Sequence, residues 1–111
     1  MEFAQEQSGD ALIVKLSGRL DSSSAQSAEE RFTQVLAGGA VHLAIDMSQL
    51  DYISSAGLRV LLVVAKKVQR AKGKVVLFGL ARNVREVFSI SGFDRIFTIE
   101  PNMAAAVAAI H

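Results

Sequence analysis

The strongest constraint on the fold of this chain is a strand pattern, a long amphipathic helix pattern and a second strand pattern in direct succession. In residues 41–47 every second residue is aliphatic, which is typical of a β-strand. Residues 55–71 repeat apolar side chains at helical spacing, and Gly73 ends this helix before a short buried strand at residues 75–78. The predicted apolar stripe of the helix consists of Leu58, Leu61, Leu62, Ala65 and Val68. Because alternating strands and helices favour parallel strand pairing, this order predicts an α/β fold with a mainly parallel sheet.

The N-terminal residues predict a β-hairpin in front of this unit. Residues 2–7 and 11–16 both have strand character, and residues 8–10 between them form a turn that contains glycine. A connection this short joins antiparallel strands. Residues 18–21 are expected to lead the chain out of the second strand, and residues 22–24 are three serines that can cap a helix.

Three further helices and one strand complete the predicted order. The apolar stripe of the first helix consists of Ala28, Phe32, Val35 and Leu36. The helix ends at Gly38 and Gly39. Asn83 and Glu86 resemble a capping box at the start of a short helix. That helix has apolar residues at Val84, Val87 and Phe88 and ends at Ser91-Gly92. Residues 95–99 indicate a last strand, and Pro101-Asn102 open an alanine-rich terminal helix.

These patterns together predict a single α/β domain over residues 1–111. Its sheet is mixed and mainly parallel, with four to five strands, an N-terminal antiparallel hairpin and about four helices. The sequence contains no internal repeat, linker or low-complexity segment that would divide it.

The composition excludes several classes of function. Twelve basic and eleven acidic residues give a formal net charge of +1. The chain therefore lacks the large positive charge that would indicate direct binding of nucleic acid. The chain has no cysteine, which excludes disulfides and thiolate metal sites. Its two histidines, His42 and His111, are far apart, and no His/carboxylate motif has metal-ligand spacing. We therefore predict no metal and no cofactor.

The N-terminal residues do not indicate an export signal, and residues 60–65 do not indicate a membrane span. The first ten residues include Glu2, Glu6 and Asp10 and lack the basic start and apolar run of a signal peptide. The apolar run at residues 60–65 is far shorter than the roughly 20 residues that span a bilayer. The expected location is the cytoplasm, without membrane insertion.

The segment with most functional information is the start of the long helix, at Ser54, Ser55 and Gly57. One of the two serines is expected to be the N-cap, which accepts a hydrogen bond from an unpaired amide of the first turn. Glycine in a first helical turn costs up to about 1 kcal/mol relative to alanine. Its presence indicates close approach to the backbone, by a phosphate, a neighbouring loop, a partner's side chain or other residues of the domain.

A phosphate at this position is compatible with the fold. A helix N-terminus has free amides and a partial positive charge, so it tolerates an anion. A phosphorylated Ser55 would therefore stay folded, and its charge of about −1.5 to −2 would act on a binding partner instead.

Over nearly all of its length the chain resembles the bacterial anti-sigma factor antagonists, which are free-standing STAS domains. That family has an aliphatic-Asp/Asn-aliphatic segment, a short loop, an aromatic residue and then Asp-Ser-Ser/Thr/Ala-Gly-Leu. The similar segment here is Ile45-Asp46-Met47-Ser48-Gln49-Leu50-Asp51-Tyr52-Ile53-Ser54-Ser55-Ala56-Gly57-Leu58. Further similarities are Ser17-Gly18-Arg19-Leu20-Asp21 and Val87-Phe88 followed by Ser91-Gly92-Phe93 and Ile96-Phe97.

The resemblance implies a regulatory binding protein. Members bind an anti-sigma factor that is also a serine kinase, and thereby release a sigma factor. Phosphorylation of the serine that matches Ser55 abolishes binding, and a metal-dependent serine phosphatase restores it. The implied partner-binding residues are Asp21, Ser54, Ser55, Ala56, Gly57, Leu58 and Arg59. The family also implies a monomer that forms a heterocomplex.

Two residues depart from the family pattern. Ser54 stands where many members have Asp, so a second hydroxyl is available and Ser54 is the alternative phosphorylation site. Arg59 stands where a small residue is common; it can pair with a phosphate or an acidic partner, or belong to a solvated helix face. Asp21, by contrast, matches an acidic residue of the family; it can contact the partner, help shape the phosphoacceptor site or cap the first helix.

Three other functions are alternatives to this one. The alternative within the family is a STAS interaction module that is never phosphorylated, in another signalling or lipid-transport assembly. An enzyme with Ser55 as nucleophile would need a nearby base, but neither histidine is suitably placed and Gly-x-Ser-x-Gly is absent. Nucleotide binding has no support from a glycine-rich phosphate loop.

Overall fold

A five-stranded sheet organises the chain, with its strands side by side in chain order. The computed structural model describes residues 1–110, so His111 lies outside the described residues. The strands are β1 (Glu2–Ser8), β2 (Ala11–Leu20), β3 (His42–Ile53), β4 (Lys74–Phe78) and β5 (Thr98–Glu100). β1 pairs antiparallel with β2, and every other neighbouring pair is parallel. The predicted hairpin and mainly parallel sheet are confirmed.

Four α-helices connect and cover these strands within the described part of the chain. They are α1 (Ala25–Ala37), α2 (Ser55–Arg70), α3 (Arg82–Ser91) and α4 (Met103–Ile110), and a short 3-10 turn spans Phe93–Arg95. Among residues 1–110, no helix combines the length and the apolar character needed to cross a bilayer.

Buried side chains form two clusters on opposite faces of the sheet, as the alternation along each strand requires. On β2, Leu12 and Val14 point to the larger cluster, which also contains buried residues of α1, α2 and α3. Ala11 and Ile13 point to the smaller cluster with the residues of α4. This second layer explains why strand residues of both registers are apolar.

The second and third strands are longer than the sequence predicts. Residues 48–53 were expected to form a loop, and residues 18–21 to leave β2, but residues 48–53 belong to β3 and residues 18–20 to β2. Pairing continues to Leu20 opposite Ile53, with two register shifts along the way. The pattern of these segments is too polar and irregular to indicate a strand, and the partner strand's backbone is what holds them extended.

Three other details of the prediction are wrong. The N-cap of α3 is Ala81, not Asn83, whose side chain instead donates to the carbonyl of Asp51 at 2.6 Å. Residue 95 belongs to the 3-10 turn, so β5 is only three residues long. The first helix begins at Ala25 and Ser24 is its N-cap residue, but no serine side chain caps it.

The buried face of α2 also differs in part from the predicted stripe. Leu58, Leu61 and Val68 are buried as expected, but Leu62 and Ala65 are only half-buried. Val60 and Val64 are buried in their place. The buried face of α2 differs from the predicted one because the helix packs both on the sheet and against α1. Helical spacing alone does not specify which neighbour a helix packs against.

Candidate functional site

The extended ends of β2 and β3 bring a group of polar residues together at the carboxyl edge of the sheet. Arg19 lies opposite Tyr52 in the strand pairing, and its guanidinium carbon is 4.3 Å from the centre of the tyrosine ring. Arg19 Nε is also 3.5 Å from Oδ2 of Asp21. Tyr52 is 38 % exposed, which leaves part of its ring available to a partner. Stacking and the ion pair together hold a cation, an aromatic ring and a carboxylate on one surface.

Asp21 shapes the turn that leads into α1. Its Oδ1 accepts hydrogen bonds from the hydroxyl of Ser23 at 2.6 Å and from the Ser23 amide at 3.0 Å. These hydrogen bonds lower the pKa of the Asp21 carboxyl below its usual value, and the one from the Ser23 hydroxyl has the larger effect. Ser24 adds a further link, because its hydroxyl donates to the Arg19 carbonyl at 2.8 Å and accepts from the Asp21 amide at 3.0 Å. Asp21 therefore has a structural role within the loop, and it remains beside Arg19 at the surface.

Ser54 is the N-cap of α2, which decides between the two serines. Its side-chain oxygen accepts from the amide of Gly57 at 3.4 Å, and its carbonyl accepts from the amide of Leu58 at 2.9 Å. Its own amide donates to the carbonyl of Leu20 at 3.0 Å, which fixes the start of the helix to the end of β2. The hydroxyl of Ser54 is thus committed to the helix end, and its side chain is half-buried.

Ser55 is the first residue of α2 and is exposed. The first amides of a helix have no acceptor within the helix. Here the third and fourth are satisfied by Ser54, and in the described residues the amides of Ser55 and Ala56 have no acceptor. An exposed hydroxyl therefore lies beside two free amides and the positive end of the helix dipole. This arrangement suits a covalently attached phosphate.

Gly57 is required by close packing within the domain, which decides among the alternatives for this residue. A Cβ atom at Gly57 would lie 2.7 Å from the carbonyl oxygen of Leu20 and 2.8 Å from both Cγ of Leu20 and Cγ1 of Ile53. These distances are below ordinary van der Waals contact. Gly57 thus allows α2 to start directly against the ends of β2 and β3, which keeps Ser55 beside the surface formed by Arg19 and Tyr52.

A Gly57→Ala substitution is expected to destabilise the protein by about 2 kcal/mol. Overpacking of a filled site costs about 1–3 kcal/mol, and the gain of up to about 1 kcal/mol in helix propensity offsets only part of it. Urea denaturation of both proteins measures the difference. Ala56→Gly is a suitable comparison, since it changes the neighbouring helix position in the opposite sense and should cost no more than about 1 kcal/mol. A Gly57→Ala protein as stable as the parent would contradict the packing role.

The other residues expected to bind a partner have different surroundings. Ala56 is half-buried, and Leu58 is only 4 % exposed, so the side chain of Leu58 anchors the helix in the core. Arg59 is exposed four residues after Ser55, a spacing at which helix side chains are neighbours. The exposed members of the predicted set are therefore Ser55 and Arg59, with Asp21 and Ser54 partly exposed.

Sequence reasoning did not assign Arg19 and Tyr52 to the site. Both lie in segments that were expected to be loops, and only the strand pairing makes them neighbours. The only signal in the sequence was position: Tyr52 lies two residues before Ser54, and Arg19 lies two residues before Asp21. Asn83 was missed for a similar reason: its bond to the Asp51 carbonyl, which ties α3 to β3, is long-range.

Within residues 1–110, no group of three or more His, Asp or Glu residues is arranged to hold a metal ion. His42 is half-buried on β3, remote in sequence from Ser55. The polar groups of the site are therefore the exposed hydroxyl of Ser55, the two free amides at the start of α2 and the side chains of Arg19, Tyr52 and Asp21.

Known proteins resemble this chain in sequence and in fold. The family model of the STAS domain matches residues 2–106. The protein BtrV of Bordetella bronchiseptica, provisionally named an anti-sigma factor antagonist, is 40 % identical over 98 % of this chain and 94 % of its own length.

Solved structures share the fold at lower identity. A Thermotoga maritima protein, provisionally described as an anti-sigma factor antagonist, has a TM-score of 0.92 at 22 % identity and covers 97 % of this chain and 93 % of its own. The Bacillus cell fate determinant SpoIIAA, solved in a phosphorylated form, has a TM-score of 0.74 at 18 % identity and covers 99 % of this chain and all of its own.

Proposed function

This chain belongs to the STAS domain family, and we propose that it is an anti-sigma factor antagonist switched by phosphorylation of Ser55. In this proposal it binds an anti-sigma factor that is also a serine kinase, and a sigma factor is released. The chain acts in the cytoplasm by binding, not by catalysis, as a monomer that enters a heterocomplex. A serine phosphatase reverses the switch.

One observation carries the proposal: an exposed serine hydroxyl at the first position of α2, beside two free amides. A kinase can reach this hydroxyl without opening the fold. The neighbouring surface offers Arg19, Tyr52 and Asp21 as polar contacts, and Arg59 lies one turn along the helix. The 40 % identical relative, whose provisional name is that of an anti-sigma factor antagonist, supports the same role.

The geometry also favours Ser55 over Ser54 as the phosphorylated residue. The hydroxyl of Ser54 is the acceptor that caps α2, so a phosphate on it would disturb the helix start. The hydroxyl of Ser55 has no such role in the described residues and is more exposed. The structure of phosphorylated SpoIIAA supports the compatibility of this fold with a covalent phosphate.

The test is phosphorylation by the anti-sigma factor kinase of the same genome. The protein is incubated with ATP and that kinase, and its intact mass is measured. We expect one added phosphate in the parent and in Ser54→Ala, and none in Ser55→Ala. Ser54→Ala is the matched control, since it removes the adjacent hydroxyl. A phosphate that persists in Ser55→Ala would contradict the assignment of the site.

The second candidate function is a STAS interaction module that is not phosphorylated. The observation that favours it is Ser54, which replaces the Asp found at this position in many members of the family. An anti-sigma factor that binds the chain but never phosphorylates it would support this alternative.

A further inference from the structure

The net charge of +1 conceals a strong separation of charge along the chain. Eight of the twelve Lys and Arg residues lie in residues 52–85, and none of the eleven Asp and Glu residues does. All eight basic side chains are exposed. They are Arg59, Lys66, Lys67, Arg70, Lys72, Lys74, Arg82 and Arg85. Five of them lie in the second half of α2, the turn after it and the start of β4, and we call this segment, residues 66–74, the cationic surface. The overall charge balance does not indicate it.

An apolar groove of about 510 Å³ lies within this surface, between α2 and the edge of the sheet. Its floor includes Leu62, Val75 and Phe97, and Lys66 and Lys74 lie along it. None of the residues that line it within the described chain is acidic. The groove is open because β5 is short: its pairing with β4 begins only at Val76, so the first two residues of β4 have no strand beside them on this edge.

Ile96 is a large apolar side chain exposed at the groove, which is unusual for a surface that contacts only water. Its side chain is 56 % exposed and lines the same groove as the two lysines. Exposed apolar side chains next to an apolar groove with a charged rim are typical of protein interaction sites. The groove-facing stripe of α2 runs from Leu62 to Gln69, about 10 Å along the helix axis, which is the length of two helical turns.

We propose that this groove binds an acidic amphipathic segment of a partner protein, as a second interaction surface separate from Ser55. Apolar side chains of the segment would occupy the floor, and its carboxylates would face Lys66 and Lys74. The two lysines, with no acidic residue in the lining among residues 1–110, give the charge complementarity, and the apolar floor gives the anchor positions. Lys66 follows Ser55 by eleven residues, about 16 Å along α2, so both surfaces can be occupied together.

The chemistry of the groove favours a peptide over other anionic partners. Apart from Ile96, the apolar residues that line the groove are buried or half-buried, whereas a membrane-binding face projects several apolar side chains from the surface. Single-stranded nucleic acid needs exposed aromatic rings for stacking. Phe97, the only ring that lines the groove among residues 1–110, is 7 % exposed, and the single tyrosine of the chain lies at the Ser55 site.

The test uses the full ¹⁵N-labelled chain and a synthetic three-turn peptide with Leu at i, i+3, i+4 and i+7 and Glu at the other positions. We expect saturable amide shifts at Leu62, Lys66 and Lys74, and weaker binding when salt rises from 0.1 to 1 M. A peptide with Lys in place of Glu should cause no such shifts. The Ser55→Asp variant should bind the acidic peptide as the parent does, so this result is independent of the proposed phospho-switch.

Lys66→Glu provides the decisive variant, with Arg85→Glu as its matched control. Both are exposed helix residues without an ion pair in residues 1–110, and both changes alter the charge equally. Lys66→Glu should weaken peptide binding roughly tenfold with an unchanged melting temperature, whereas Arg85→Glu should stay within about twofold. The absence of saturable shifts, or equal binding of the Lys peptide, would overturn the proposal. So would larger shifts of the same amides on addition of phosphatidylglycerol vesicles or a single-stranded oligonucleotide, or on raising the concentration of the protein itself.

Discussion

A Gly73→Ala variant is expected to lose at least about 3 kcal/mol of folding free energy. Gly73 lies between α2 and β4, where a Cβ atom would be 1.7 Å from the carbonyl oxygen of Val41 and 2.6 Å from its carbonyl carbon. Both contacts are with backbone, so no side chain can move to relieve them. Overpacking typically costs about 1–3 kcal/mol, and this overlap lies at or above the upper end of that range.

The overlap also breaks hydrogen bonds that join the helix to the sheet. The amide of Gly73 donates to Val68 at 2.9 Å, and the amide of Lys74 donates to the Val41 carbonyl at 3.0 Å. To make room for a methyl group, the start of β4 must move away from β3. Since a domain of this size has a total stability of about 5–15 kcal/mol, a loss of about 3 kcal/mol is a large fraction of it.

Thermal and urea denaturation measure the effect, with Gly38→Ala as the matched control. Gly38 also follows a helix, but its φ of −77° suits any residue and its added Cβ would be no closer than 3.4 Å to a neighbour. We expect Gly38→Ala to change stability by less than about 1 kcal/mol. Gly73→Ala should lower the melting temperature by roughly 10–20 °C. Equal melting temperatures for the two variants would contradict the packing at Gly73.

Phosphorylation of Ser55 is expected to weaken binding of the anti-sigma factor by roughly a thousandfold, which corresponds to about 4 kcal/mol. A phosphate carries a charge of about −1.5 to −2 and would lie at an exposed position at the start of α2. Burying that charge under a partner surface removes its hydration, and an acidic partner surface would add repulsion. The fold itself should tolerate the charge, because it lies at the positive end of the helix dipole.

Ser55→Asp and Ser55→Asn separate the effect of charge from that of size. The two side chains have nearly the same shape, but only Asp is charged. Since Asp has less charge than a phosphate, we expect roughly a tenfold to hundredfold loss of affinity for Ser55→Asp, and a markedly smaller loss for Ser55→Asn. Calorimetric titration with the purified anti-sigma factor measures both, and melting temperatures within a few degrees of the parent show that the fold is intact. Equal affinities of the two variants would mean that charge at Ser55 is not the switch.

The sequence alone predicted the order of the elements and the position of Ser55. Alternation in residues 41–47 and helical spacing in residues 55–71 are local signals, and local signals specify where strands and helices lie. The two adjacent serines before an apolar helix likewise indicated an N-cap. Resemblance to the STAS family then implied Ser55 as the phosphorylated residue and an anti-sigma factor as the partner, which no periodicity could indicate.

The features that the sequence did not predict depend on contacts between distant segments. Residues 48–53 have no strand pattern of their own and are extended because β2 pairs with them. Asn83 has the local pattern of a capping box, yet its side chain binds the carbonyl of Asp51, 32 residues away. A long-range hydrogen bond competes with the local one, and the sequence does not record which of them forms.

Ser55 and the two glycines mark the division between sequence and tertiary structure. The sequence determined that a serine begins α2, that Gly57 lies in its first turn and that Gly73 follows its end. Only the tertiary structure decided why the glycines are needed, because the atoms that exclude a Cβ belong to Leu20, Ile53 and Val41 on neighbouring strands. The separation of charge is visible in the sequence, but its position around an apolar groove follows from the short pairing of β5. Local patterns fix the elements, whereas close packing between them fixes the surfaces that a partner can recognise.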